Sequence, residues 1–357
     1  MSIVGGLDVH RRQITFDWVD DATGEAGRGR LAPATREMFA SWLATLPAGD
    51  AAFAVEACTG WRFVVEELER AGFAAHLAEP ADTATLRGRK RRAKTDRADA
   101  RHLRVLCEQA RLPESWIAPA HILDLRQLVR LRKTLTDQRV CWQQRIHAVL
   151  FHHGVAKPEH ALVSTRTRVW LRRLALPDPS RLLIAAGLSH IDAVDAQVAP
   201  IDRWLGVYAR RQPGCRALID RLYGVGVVTA PTILAELGDA RRFRNGDAVV
   251  RHTGLDVTVY SSDGKRSPGR LSRQGPEVLR WALFEAAASS ARATAPDHDY
   301  YLSVRDRLTP NRAMLSVARK LVRRARHILV ALGDDALADV DAAVLPPLVP
   351  ADVNVAA

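Results

Sequence analysis

IVGGLDVHRRQITFDWVD, residues 3–20, consists of two short apolar runs parted by the polar segment HRRQ, the pattern of a β-hairpin. Asp8 falls near the end of the first predicted strand. Working outward, AAFAVEA at 51–57 reads as a buried strand with Glu56 at its C-terminal end, and Thr59-Gly60 lead into the helical pattern WRFVVEELERAGF. FAAHLA at 73–78 gives a further strand, and DRADARHLRVLCEQA at 96–110 a helix. Strands alternating with helices predict an α/β unit whose central sheet is covered on its faces.

A chain of 357 residues has room for two or three folded units, and a hydrophobic content of 47% excludes a wholly disordered protein. No run of about 18 uncharged apolar residues occurs, and MSIVGGLDVHRRQ lacks the charged-then-apolar pattern of a secretory signal. The expected location is cytoplasmic, with no membrane partner. Cys58, Cys107, Cys141 and Cys215 form no CxxC pair, which argues against structural zinc and a disulfide framework and leaves them as packing residues. A net charge of +12 favours a polyanionic partner, although the abundance of Ala and Arg makes part of that charge compositional.

From Ile122 onward, Leu125, Leu128, Leu135, Trp142, Ile146 and Val149 follow a three-four spacing interrupted by Arg132 and Arg139. This predicts a long helix over 121–153 with a coiled-coil-like seam, meeting a helix of the same chain or of a second subunit. Prolines at 177, 179, 200 and 213 make 175–215 a connecting region with at least one helix. YGVGVVTAPTILAELG, at 223–238, reads as a glycine-punctuated turn and an apolar helix with Pro231 in its first turn. The polar stretch VYSSDGKRSPGRLSRQG, at 259–275, interrupts two further helices, and a loose tail is expected from residue 335.

Four carboxylates stand out: Asp8 and Glu56 at strand ends, and Asp96 with Asp99 on one helix face, three positions apart. Taken singly, Asp96 is a first-turn charge and Asp99 an exposed helical residue. Taken together, carboxylates from two adjacent strands and a helix can converge on divalent cations, and such an oxygen-only set suits Mg²⁺ or Mn²⁺. His10, His152 and His153 show no ligand partners at a useful spacing and read as surface or packing residues.

GLDVH around Asp8, VEACTG around Glu56 and KTDRADA around Asp96 and Asp99 resemble the acidic motifs of the DEDD transposases of insertion sequences, which are RNA-guided serine recombinases. The resemblance runs on through YGVGVVTAPTILAELG, RRFRNGDAVVRHTGL and LSRQGPEVLRWAL to about residue 330, departing where the family's turn carries a proline and where Asp256-Val257 follows the GL pair. It implies a ribonuclease-H-like (RuvC-like) α/β domain over 1–115, a helical coiled-coil-like connector over 116–210, a mainly α transposase domain over 211–334 and a tail over 335–357. It also implies that Asp8, Glu56, Asp96 and Asp99 hold the metal and that Ser262 is the nucleophile, with Ser261 as the one-residue alternative. Its partners are donor and target DNA, a structured noncoding guide RNA, and further copies of the chain in a tetramer of paired dimers.

By composition alone, YSSDGK is simply a surface turn. The basic residues Arg89, Lys90, Arg91, Arg92 and Lys94, before the Asp96 helix, and Lys265, Arg266, Arg270 and Arg273, after the serines, are the candidate nucleic-acid contacts. Aromatic residues at 6% of the chain do not indicate extensive base stacking. Two other readings compete: a RuvC-like nuclease or Holliday-junction resolvase that uses water as nucleophile, and a non-catalytic nucleic-acid-binding descendant of such enzymes.

Overall fold

The computed structural model describes residues 3–47, 49–87, 95–262 and 265–348, with the backbone alone for those within 259–268. The chain divides into two compact units, Met1–Ile117 and Ala118–Ala357.

In the first unit, strands β1 (Ile3–Val9) and β2 (Ile14–Asp20) form the expected hairpin, with Asp8 opposite Thr15. A third strand, β3 (Ala26–Leu31), continues it antiparallel. Its sequence, AGRGRL, has no apolar alternation, which is why no strand was expected there. The strand is held by aromatic rings on its neighbour: a Cβ at Gly27 would meet the Trp18 ring at 2.3 Å, and one at Gly29 would meet Phe16 at 2.7 Å. Helix α1 (Arg36–Leu43) leads to β4 (Ala51–Glu56), parallel to β1, and α2 (Trp61–Arg70) leads to β5 (Ala74–Ala78), parallel to β4. The sheet order is therefore β3-β2-β1-β4-β5. Helices α3 (Pro80–Thr85) and α4 (Asp96–Glu108) follow.

Every residue of β1 is buried, as a central strand covered on both faces requires. Ile3, Leu7 and Val9 pack with Phe39, Leu68 and others from α1 and α2. The alternate positions, Val4, Gly6 and Asp8, belong to the other face, which α4 covers. There the backbones nearly touch: a Cβ at Gly6 would lie 2.1 Å from Ala100 O and 2.5 Å from Arg104 N. Neither obstacle is a flexible side chain, so Gly6→Ala has to push α4 away from the sheet. We expect a loss of about 1–3 kcal/mol of stability, read as a lower urea midpoint for the variant.

The second unit opens with α5 (Ala120–His152), α6 (Thr165–Arg173) and α7 (Asp178–Arg211). Helices α5 and α7 run antiparallel, because Arg132 pairs with Asp202 at 2.5 Å, Arg139 with Asp195 at 3.1 Å, and Trp142 stacks on His190 at 4.6 Å. The two arginines that interrupt the α5 seam are thus neutralised by acids of the same chain. Residues 178–211 are one helix of 34 residues, filling most of the connecting region expected to hold at least one helix. Pro177 and Pro179 lie at its start and Pro213 begins the next helix, positions where a missing N–H costs little; only Pro200 is internal. By length and composition α7 is the one described helix that could cross a membrane, yet its Asp192, Asp195 and Asp202 are all ion-paired with arginines of this unit.

Helices α8 (Pro213–Arg221), α9 (Thr229–Leu237) and α10 (Gly246–Thr253) come next, then the hairpin strands β6 (Val257–Ser262) and β7 (Lys265–Leu271). Helices α11 (Glu277–Ala288), α12 (His298–Arg305) and α13 (Pro310–Leu332) complete the bundle. Its core takes Leu125, Val129 and Leu135 from α5 and Ile201 and Leu205 from α7 together with the later helices, whereas the far end of the α5–α7 pair has a separate core around Ile146, Leu150 and Ile191.

The loose tail expected from residue 335 is corrected over 335–345. Gln212 Nε2 donates to Ala336 O at 2.9 Å and to Ala338 O at 3.2 Å, His121 bonds Leu337 O at 2.9 Å, and Val340 and Leu345 rest on the core. The polar anchors lie more than a hundred residues upstream, so nothing local in the tail announces them. The rest of that expected tail, residues 349–357, lies outside the described residues.

Candidate metal centre

Asp8 sits one residue from the C-terminal end of β1, and Leu7 pairs with Val55. Asp8 and Glu56 are the next residues along two adjacent parallel strands, on the face that α4 covers. The helix is started by Thr95, whose Oγ1 accepts from Ala98 N at 3.2 Å, and its first turn carries Asp96 and Asp99, where carboxylates complement the positive end of the helix dipole. Its axis is fixed further along by Arg104, which donates to Asp17 on β2 at 2.5 Å and to Glu108 at 2.8 Å; Arg28 joins Asp17 at 3.0 Å. Asp17 and Arg104 are buried, and a buried pair of this kind holds a helix in one register across the sheet.

Asp8, Asp96 and His10 converge, each offering one ligand atom within 4.8 Å of the others. His10 Nε2 lies 3.2 Å from Asp8 Oδ2 and 3.6 Å from Asp96 Oδ1, and Gln13 Nε2 donates to Asp96 Oδ2 at 2.8 Å. His10 is exposed, as expected, but the expectation that it lacks ligand partners is corrected here. The signal was present: in Asp8-Val9-His10 the acid and the imidazole are two apart at a strand end, a spacing that shares one face. Glu56 stands at its strand end beside this group without joining it, and Asp99 is engaged by Arg87 Nη1 at 2.5 Å.

Burial pushes the Asp8 carboxyl above its ordinary range; His10 pulls it back, while the like charges of Asp96 and Asp99 raise it further. A cation bound among these oxygens would relieve both the burial and the repulsion. The donor set, carboxylate oxygens with one imidazole at the rim, fits a hard divalent ion.

Ser262 is the last residue of β6, with Lys265 as its partner across the hairpin and Ser261 opposite Arg266. The sequence reading took this stretch for a loop. In sequence, the Asp-Gly pair of YSSDGK is a two-residue hairpin signal. Arg89, Lys90, Arg91, Arg92 and Lys94 lie outside the described residues, and Lys265 and Arg266 are placed by backbone alone. Arg270 and Arg273 are exposed. The four cysteines are free, with Cys215 buried as a packing residue and Cys141 exposed, contrary to that expectation.

Comparison with known proteins gives two family matches. A profile described as a DEDD transposase of the IS110 type matches residues 5–153, and the Transposase IS116/IS110/IS902 family matches residues 216–302. The transposase for insertion sequence element IS1328 of Yersinia enterocolitica is 25% identical, over 71% of this chain and 74% of its own length. A Pseudomonas aeruginosa protein named "Probable family 20 transposase" is 24% identical, over 78% and 82%. The transposase for insertion sequence element IS1111A of Coxiella burnetii is 22% identical, over 80% and 79%. The chain belongs to the IS110/IS116 family of DEDD insertion-sequence transposases, enzymes whose substrate is DNA.

Proposed function

We propose that this transposase cuts and rejoins DNA through a covalent phosphoserine formed by Ser262, using a divalent cation, Mg²⁺ or Mn²⁺, held by Asp8, Glu56, Asp96 and Asp99 with His10 at the rim. The convergence of Asp8, Asp96 and His10 where α4 crosses the sheet is the observation that carries the metal reading. The strand order β3-β2-β1-β4-β5, with parallel pairing on one side and an antiparallel meander on the other, supports a ribonuclease-H-like domain. When bound, the cation supplies charge neutralisation at the phosphate and acidifies a hydroxyl.

The chain's own groups do the rest. The Ser262 hydroxyl gives up its proton as its oxygen bonds phosphorus, and the deoxyribose oxygen leaves and takes a proton. A second DNA hydroxyl later reverses the exchange, so the phosphodiester energy is kept. Glu56, at its strand end, and Asp99, which Arg87 engages, would complete the oxygen set around the cation. Ser262 belongs to the second unit and the acids to the first. Guide-RNA pairing is the proposed source of sequence choice, which leaves the protein mainly backbone contacts to make.

The test is a denaturing gel of the full chain with RNA transcribed from the element's ends, matched DNA and Mg²⁺, beside the same mixture in EDTA. A protein–DNA adduct that needs the metal supports the proposal. Metal-dependent cleavage without adduct favours the alternative of a RuvC-like nuclease or junction resolvase using water.

A further inference from the structure

The base of the β6–β7 hairpin and α13 border a cleft of about 610 Å³. Arg270 and Arg273 line it on one side, Arg312 and Arg319 come from α13, and Leu308 and Leu315 are among its apolar residues; no carboxylate lines it among the described residues. Elsewhere on α13, Arg326 donates to Phe243 O, and the other cations are ion-paired. Lys320 and Arg324 pair with Asp297, and Arg323 pairs with Asp247, whereas none of the four cleft arginines has an ion-pair partner among the described residues. Asp256, at the hairpin base, accepts from Ser272 Oγ instead.

Two of the four are pinned by the backbone. Arg319 Nε donates to Leu255 O at 2.7 Å. Arg273 sits in the left-handed region at φ 55°, where a residue bearing a Cβ stays only if its surroundings hold it, and its N–H donates to Gly254 O at 3.1 Å. Burial lowers the Arg319 guanidinium and Arg323 adds to the effect, while Tyr300 and Asp256 offset part of it.

Four planar, permanently charged forks match phosphate oxygens, and their mutual repulsion calls for an anion with charges spread along a line. The apolar residues between them suit sugar or base faces. We propose that this cleft grips the phosphodiester backbone of a nucleic-acid strand and aligns it with β6. From Val257 to Ser262 the strand spans roughly 17 Å, about five phosphates of a stacked strand at 3.4 Å each. That span matters for catalysis only on the reading of Ser262 given above; the grip stands apart from it.

Fluorescence anisotropy with the full chain and labelled single-stranded DNA, single-stranded RNA and duplex DNA, between about 50 and 200 mM salt, tests the proposal. The double variant Arg270→Gln/Arg312→Gln, with an unchanged melting temperature, is expected to weaken binding of at least one probe on the order of tenfold and to flatten its log–log salt slope by about 1.4–1.8. The matching Arg→Lys pair should recover part of the affinity. Unchanged affinity and slope for all three probes overturns the proposal. Lost binding in the Gln pair without any wild-type adduct removes the serine reading and leaves the cleft. A wild-type adduct with unchanged binding in the Gln pair does the reverse.

Discussion

Ser262→Ala is expected to abolish both the protein–DNA adduct and strand exchange, whereas Ser261→Ala retains the adduct. Alanine has no oxygen to bond phosphorus, and removing an enzyme's nucleophile costs on the order of 10⁶-fold in rate. The adjacent serine is no substitute, because successive positions of a strand alternate between its faces and 262, unlike 261, closes β6 beside the turn. Adduct in both single variants would move the nucleophile elsewhere in the chain. Loss in Ser261→Ala alone would shift the register by one residue. A melting temperature at the wild-type value in both variants, with binding of DNA retained, separates this outcome from misfolding.

Asp8→Asn is expected to reduce strand cleavage by on the order of 10³-fold or more while leaving nucleic-acid binding largely intact. Asp8 is the buried member of the Asp8–His10–Asp96 group, and His10 and the α4 carboxylates both act on it. An amide of the same shape keeps the packing and removes the charge that recruits a cation. Stability separates this outcome from misfolding. Burial raises the Asp8 carboxyl, so its ionised form is disfavoured by folding at neutral pH, and the neutral amide removes that cost. The metal-free variant should therefore melt no lower than wild type. Conversely, Mn²⁺ or Mg²⁺ should raise the melting temperature of wild type by mass action and raise that of Asp8→Asn less. Equal stabilisation of both proteins, or unchanged cleavage in the variant, would remove the metal assignment at this position.

His10 sharpens that experiment. His10→Ala leaves the carboxylates in place, so an imidazole that merely rests against Asp8 should prove dispensable, whereas one that helps orient or hold the ion should cost about 10–100-fold in metal affinity.

Much of the first unit was legible before any coordinates. The hairpin at 3–20, the strand ending at Glu56 and the helix beginning at Asp96 all carry strong periodic patterns, because a central strand and a covering helix must bury apolar side chains in a fixed rhythm. Edge strand β3 escaped notice, since its glycines leave the apolar contribution to Trp18 and Phe16 on the neighbouring strand. The length of helix α7 was hidden by prolines that sit at helix starts rather than in helix interiors, apart from Pro200. The 335–345 segment was misjudged because Gln212 and His121, which hold it, are remote in sequence.

For the site, the available acids, their order and the shared helix face of Asp96 and Asp99 all follow from residue identity and backbone period. Which of those acids meet is settled by packing in three dimensions: Gly6 lets α4 approach the sheet closely enough for Asp96 to meet Asp8, His10 closes that group, and Arg87 claims Asp99. Such choices depend on the distance between elements far apart in the chain, and that distance is set by packing that no local pattern encodes.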